Sequence, residues 1–329
     1  KEEKERKYQV AKEITTPDEF INTGGMPVTI GEFVGNKVVL LDIWTYSCIN
    51  CQRTTPYLNA WYEKYKDKGL VIIGLHTPEF EFEKVYQNVL KATERLKIKY
   101  PVVLDNDYST WNAYQNRFWP RKYLIDIDGF IVYDHIGEGG YEETEAKIVE
   151  LLNEKNARMG AGAIVQSENG IENRETTDFS KVLTPELYLG AARLSALANL
   201  PNKGCLFGVC EYSLPPNLSL NTFGFGGKWR IKAERAVLSS DTGTIRLRFS
   251  AGKVNLVAGA TGDAVSAEIS LDGKKVSNRE AGDAVKNGIV TLGSHDLYNI
   301  IDLKGIYGEH ILEIRFLKGG VSAFAFTFG

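Results

Sequence analysis

The chain has 329 residues, of which 43% are hydrophobic and 25% charged, and its formal charge is −3. That length exceeds one ordinary domain and suits two, while the apolar content excludes wholesale disorder. No stretch approaches the ~18 uninterrupted apolar residues of a membrane-crossing helix, and no basic patch marks a nucleic-acid partner.

The chain opens at Lys1 on the charged run Lys1–Lys7 with no apolar segment behind it, so an export signal or anchor is expected outside it. Val38–Trp44 is apolar except for Asp42, the pattern of a strand buried on both faces. Further strands are predicted at Leu70–Leu75, Val102–Leu104, Lys122–Asp126 and Ile131–Ile136, with a hairpin turn at Asp128-Gly129. Helices are predicted from about Cys48 to Lys66, over Glu81–Leu96, where apolar residues recur at helical spacing, and over Tyr141–Lys155. These elements make residues 1–155 one α/β domain. Periodicity then disappears, and 156–183 reads as a linker.

Thr184-Pro185-Glu186 has the form of an N-cap with proline at the first helical position, predicting a helix as far as Ala198. From Lys228 the pattern alternates. Ile245, Leu247 and Phe249 interleave with Arg246 and Arg248, and Val265–Leu271 alternates up to the turn at Asp272-Gly273. Eight or nine such short strands predict that 184–329 is an all-β sandwich behind an N-terminal helix or loop segment. The halves differ mildly in charge: up to Lys155 there are 20 basic and 25 acidic residues, and beyond it 19 and 17. Both read as solvated surfaces.

The four cysteines form two close pairs, Cys48/Cys51 and Cys205/Cys210, too few for a disulfide-dense scaffold. Cys48-Ile-Asn-Cys51 stands where the buried strand hands over to a helix. A cysteine at a helix N-terminus meets unpaired N–H groups that favour a thiolate. A second cysteine one turn on is placed to attack a mixed disulfide on the first. Cys48 is therefore the candidate nucleophile and Cys51 the resolving thiol, a redox pair that needs no further cofactor. No metal is assigned. Zinc needs about four ligands, although copper(I) would accept two thiolates. Asp42, a lone carboxyl in an apolar strand, is a candidate proton acceptor for Cys51. Pro56 stands inside the following helix, where it removes a hydrogen bond. Trp119-Pro120 precedes a strand at a place where a cis proline would abut the dithiol, although a strand-start proline is the plainer reading.

The first domain resembles the thioredoxin fold, and more narrowly the TlpA-like thiol–disulfide oxidoreductases. Asp42, Trp44, Cys48/Cys51, Pro56 and Pro120 fall on that family's pattern, and Pro101–Val132 is similar to TlpA-type reductases. The resemblance implies disulfide exchange with protein dithiols and disulfides, with Trp44, Trp119 and Pro120 on the substrate side. It also implies a functional glutamate after the next strand, matched by Glu79. Ser47 replaces the tryptophan that precedes the first cysteine in thioredoxins, and Ile49-Asn50 departs from their Gly-Pro.

Nearly the whole chain resembles the soluble portion of DipZ-type proteins, through Trp44–Cys51, the Thr-Pro-Glu-x-Tyr-x-Gly of Thr184–Gly190, and the closing Ala325–Gly329. That family implies a carbohydrate-binding-module-like jelly roll as the second domain and an extracytoplasmic location. It also implies tethering through a membrane part absent from this chain, with a membrane electron donor of the CcdA/DsbD type. In that compartment Cys205/Cys210 is expected to be a structural disulfide. A glycan partner would need exposed aromatics, for which Trp229, Tyr298 and Tyr307 are candidates. Two other functions fit parts of the sequence. Thr45 stands three residues before Cys48 as in peroxiredoxins, but Leu41 replaces their proline. The chain would otherwise be a glycan- or partner-binding protein with an incidental or copper-holding dithiol.

Overall fold

The structure, a computed structural model, describes residues 2–164, 177–201, 205 and 208–329. It divides into two compact units, residues 1–174 and 175–329.

In the first unit the short helix α1 (Glu2–Lys7) leads through β1 (Gln9–Val10) and β2 (Glu19–Ile21) to the central strand β3 (Val38–Trp44). There follow α2 (Ile49–Tyr65), β4 (Leu70–His76), α3 (Tyr86–Arg95), β5 (Val102–Leu104), the short α4 (Ser109–Ala113), β6 (Arg121–Ile125), β7 (Phe130–Ile136) and α5 (Tyr141–Met159). The sheet runs in the order β1-β7-β6-β3-β4-β5-β2. Strands β3, β4 and β5 are parallel, and their neighbours β6, β7, β1 and β2 are antiparallel. This is a thioredoxin-like α/β domain.

Burial on both faces explains the apolar run of β3, every residue of which is buried. Val38, Leu40 and Trp44 join the core that contains Cys51, Leu58, Trp61, Ile148 and Leu152, under α2 and α5. Val39, Leu41 and Ile43 join the opposite core with Trp111, Tyr114 and Tyr123. Period-2 alternation therefore turns Asp42 toward the α2 side, beneath the dithiol.

Helix α5 continues to Met159, past the expected start of the linker, and residues 165–176 of that segment lie outside the described residues. The second unit is all-β among its described residues. Strand Thr222–Ile231 pairs with Gly243–Ala251 through its first half and with Ala236–Leu238 through its second. It thus joins one sheet containing Gly308–Phe316 and Val265–Leu271 to another containing Val321–Phe328 and Lys253–Ala260. The switch falls at Gly227, whose φ of +92° favours glycine. Phe223, Phe225, Trp229, Phe249, Phe316 and Phe326 fill the single core the two sheets enclose.

The helix expected over Thr184–Ala198 does not form. Leu187–Tyr188 is a strand paired with Phe326 and Ala325. The Thr184 hydroxyl, read locally as a cap, accepts the Ser250 N–H at 2.7 Å, so a distant strand takes the group that would have started the helix. Gly190 ends the segment where a Cβ would lie 2.1 Å from the Glu234 main chain. The Thr-Pro-Glu-x-Tyr-x-Gly motif is a docking strand.

Candidate active site

Cys48 is the N-cap residue of α2, and its Sγ accepts the Cys51 N–H at 3.4 Å. It is half-buried, while Cys51 one turn in is buried, and both stand as thiols. Burial, and then the hydrogen bond with Cys48, push the Cys51 thiol well up from its ordinary range. The Trp119–Pro120 peptide is cis, and the Trp119 carbonyl oxygen lies 3.9 Å from the Cys48 sulfur. The Trp119 indole donates to the Thr77 carbonyl at 2.9 Å, which fixes the ring beside the site. Asp42, Cys48, Cys51, Trp119 and Pro120 are thus brought together from three separate segments.

Asp42 is 2% exposed, and its Oδ1 has no hydrogen-bond partner. Burial pushes its carboxyl up to about 7, against the pull of the Lys122 charge. Lys122, directly opposite on β6, is fully buried, and its Nζ donates to the Gly137 carbonyl at 3.1 Å. Burial lowers its pKa, with the Asp42 and Cys51 charges opposing that fall.

One of the expected site residues, Trp44, lies away from the substrate side. Trp44 is 1% exposed and stacks edge-on against His76, so it packs the core behind the dithiol and does not reach the surface a substrate meets. Glu79 is half-buried, and its main-chain N–H donates to Glu83 at 2.6 Å. Glu83 is the acid nearer the chain segment of the dithiol. Fully buried, it accepts from the Ser47 hydroxyl at 2.6 Å, the Ser47 N–H at 3.2 Å and the Phe80 N–H at 3.0 Å. Burial pushes it up to about 7, while its donors favour the carboxylate. Ser47, which marks the departure from thioredoxins, is what ties the residue before Cys48 to this acid.

His76 was also absent from the sequence expectations. It is buried, its Nε2 accepts the Tyr46 N–H at 3.3 Å, and its Nδ1 has no partner. Burial lowers it to about 3, so it is neutral. Thr45, the residue of the peroxidase-like spacing, is buried with its hydroxyl 3.3 Å from the same His76 nitrogen.

A cluster of Asp126, Asp128 and Glu154 brings three carboxylates within 4.8 Å of one another. The Lys4 ammonium sits among them at 2.6, 3.3 and 2.6 Å, which accounts for the convergence without an ion. In the second unit Cys205 and Cys210 form a disulfide with Cα atoms 5.6 Å apart. Of the aromatics considered for sugar stacking, Trp229 is fully buried against Phe225 and belongs to the core. Tyr298 and Tyr307 are half-buried. The Tyr298 hydroxyl is engaged by the Gly293 N–H and the Ser294 carbonyl.

With that geometry in place, comparison with known proteins identifies the chemistry. The family model described as Redoxin matches residues 9–152, and the one described as Thioredoxin like C-terminal domain matches 184–329. The thiol–disulfide oxidoreductase ResA of Bacillus cereus is 32% identical over 147 residues, spanning 44% of this chain and 80% of ResA. The chain belongs to the thiol–disulfide oxidoreductases. Protein DipZ of Mycobacterium bovis is 36% identical over 312 residues, 94% of this chain. The chain spans 41% of the length of that relative. A solved thioredoxin-like protein in its oxidised form is similar at 25% identity and a TM-score of 0.41, over 45% of this chain and 97% of that one. No described helix of this oxidoreductase is long and apolar enough to cross a membrane.

Proposed function

We propose that this oxidoreductase is extracytoplasmic and exchanges disulfides with protein partners through Cys48 and Cys51. The observation that carries this reading is the pairing of an accessible thiol at the N-terminus of α2 with a buried thiol one turn behind it, above a buried carboxyl. The Cys48 thiolate attacks a partner disulfide, forms a mixed disulfide and releases the first partner thiolate, which takes a proton from water. Cys51 then gives its proton to the Asp42 carboxylate, and its sulfur bonds to Cys48. The second partner thiolate departs and is protonated as Asp42 gives up the proton it accepted, which restores the carboxylate. The partner gains two electrons and two protons, and the enzyme is left with a Cys48–Cys51 disulfide.

The likeness to DipZ over nearly the whole chain supports re-reduction by a membrane dithiol carrier of the CcdA/DsbD type. The Cys205–Cys210 disulfide supports an oxidising compartment. Insulin-disulfide reduction tests the catalytic assignment. Cys48→Ser falls to background, and Cys51→Ser accumulates a mixed disulfide visible on a non-reducing gel. Full activity in Cys48→Ser overturns the reading.

A further inference from the structure

Asp42 does not stand alone on its face of the sheet. In the antiparallel pair of β3 and β6 its Cα partner is Lys122, and directly opposed residues project to the same face with Cβ atoms about 4.5–5.5 Å apart. On the other side, in the parallel register of β3 and β4, its partner is Gly74. There a Cβ would lie 2.9 Å from the Trp44 indole nitrogen and 3.1 Å from the Tyr100 ring. The missing side chain lets those two rings close over the position. The buried carboxyl is therefore walled by aromatics toward β4 and faces a lysine toward β6.

A lysine at 0% exposure is rare unless it is paired. The other charged and titratable groups around it are accounted for. Glu138, from the loop after β7, is held by Arg53 of α2 through contacts of 2.7 to 3.1 Å. His135, the Cα partner of Lys122 on β7, has its Nε2 3.3 Å from the Glu138 carbonyl. Tyr100 is fully buried and raised well above its ordinary value by that burial, so it is neutral. Asp42 and Cys51, from α2, are the acids whose charge acts most on Lys122, with the Arg53-held Glu138 acting less. The ammonium itself is anchored at one point, the Gly137 carbonyl, and the Gly137 N–H in turn donates to the Pro120 carbonyl at 2.8 Å. The lysine is tied to the same loop that presents the cis proline to Cys48.

We propose that Lys122 is a positioning residue for the proton-transfer step, its ammonium serving as the counter-charge that keeps Asp42 a carboxylate able to accept the Cys51 proton. This rests on the exchange mechanism above, in which Asp42 is the acceptor. A buried carboxylate with no opposite charge nearby takes up a proton, and once protonated it cannot accept a second from Cys51. Lys122 counters that tendency without touching substrate. As Cys51 loses its proton, the same charge also stabilises the negative charge that builds up on the sulfur.

The test is the pH dependence of insulin-disulfide reduction by the full chain carrying Lys122→Met, a substitution of similar length. Without the ammonium the Asp42 carboxyl binds its proton more tightly. The acid limb of kcat/KM then moves to higher pH by about one unit, turnover near neutrality falls about fivefold, and the high-pH plateau is kept. A carbon NMR titration of Asp42 moves in the same direction. In the Asp42→Asn background Lys122→Met shifts nothing further. A pH profile that superimposes on the wild type overturns the proposal. So does an equal loss at every pH, or an additive loss in the double variant, since either marks a packing role. The two readings separate cleanly. An active Cys48→Ser defeats the exchange mechanism itself, whereas an inactive Cys48→Ser with an unmoved Lys122→Met profile defeats the role of Lys122 alone.

Discussion

Asp42, His76, Glu83, Asp105, Lys122 and Asp126 are buried in the first unit, and three of them lie on β3, β4 and β6 around the dithiol. In the second unit Asp302 is the one acidic or basic side chain buried among the described residues. It is 6% exposed, and Lys253 and Lys304 approach it at 3.3 and 3.0 Å. The second core is otherwise built of aliphatic and aromatic side chains interdigitating from two sheets. A buried ionisable group costs free energy unless something repays it. The first unit carries that cost beneath its reactive cysteines, and the second does not. The contrast separates a unit that holds reactive groups in chosen charge states from one whose interior is devoted to packing.

The largest stability effect should come from the second unit. Trp229 is fully buried between Phe225 and Phe316, and Trp229→Ala opens a cavity that costs about 3–5 kcal/mol in urea unfolding of the full chain. Because no residue of the dithiol site belongs to that core, kcat/KM of the folded protein on insulin stays at the wild-type value. A proportionate loss of turnover in the folded variant would break the comparison, because packing in one unit would then be feeding the chemistry of the other.

Asp42→Asn should act with the opposite sign. The Asp42 carboxyl titrates near 7 in the folded chain and near 3.9 when unfolded, so between those values the native state holds a proton that the unfolded state has released. Native stability from this group is therefore present at pH 4 and lost as pH rises toward 7. Asp42→Asn removes that loss. Its advantage over the wild type is near zero at pH 4 and grows to about 2–4 kcal/mol at pH 7. Paired urea curves at the two pH values measure it, alongside reduced turnover. A variant that is destabilised at pH 7 would show that Asp42 is a structural group after all.

The parts of this site that were legible in the sequence are those whose residue type is anomalous in its own segment. An aspartate inside Val38–Trp44, two cysteines at a strand–helix junction and Trp119-Pro120 ahead of a strand each stand out locally. Lys122 does not, because its significance depends on β6 lying beside β3 with Asp42 and Lys122 in register. That pairing joins residues far apart in the chain, and neither residue advertises it. Glu83 does not stand out beside Glu79 for a related reason. The first acid after a strand looks exposed to the site, but the turn Glu81–Lys84 folds the fourth residue back onto the Glu79 and Phe80 N–H groups. The false helix over Thr184–Ala198 has the same root, a local cap signal overridden by pairing with Val321–Phe328. Strand identity and the two-domain fold are written in periodicity, whereas register and long-range polar contacts are not.

The smallest effect tests whether Glu83 belongs with the costly polar interior of the first unit. Its carboxyl draws on Ser47 for both the hydroxyl and the N–H, and on Glu79 and Phe80 for main-chain donors. Ser47→Ala removes one of these donors and leaves the rest, together with the Thr45 hydroxyl, so the buried charge is less satisfied but not abandoned. The loss of one hydrogen bond to a charged group is about 1.5–3 kcal/mol of stability at most, and less where other donors remain. The weaker donor set also leaves Glu83 easier to protonate, so the deficit should be greatest above neutral pH, where the carboxylate is the form that must be held, and should fade toward pH 5. Urea unfolding of Ser47→Ala against wild type at pH 5 and pH 8 measures the difference. An equal deficit at both would mean that the hydroxyl merely fills space beside Cys48, and that the charge of Glu83 plays no part in holding the loop before the dithiol.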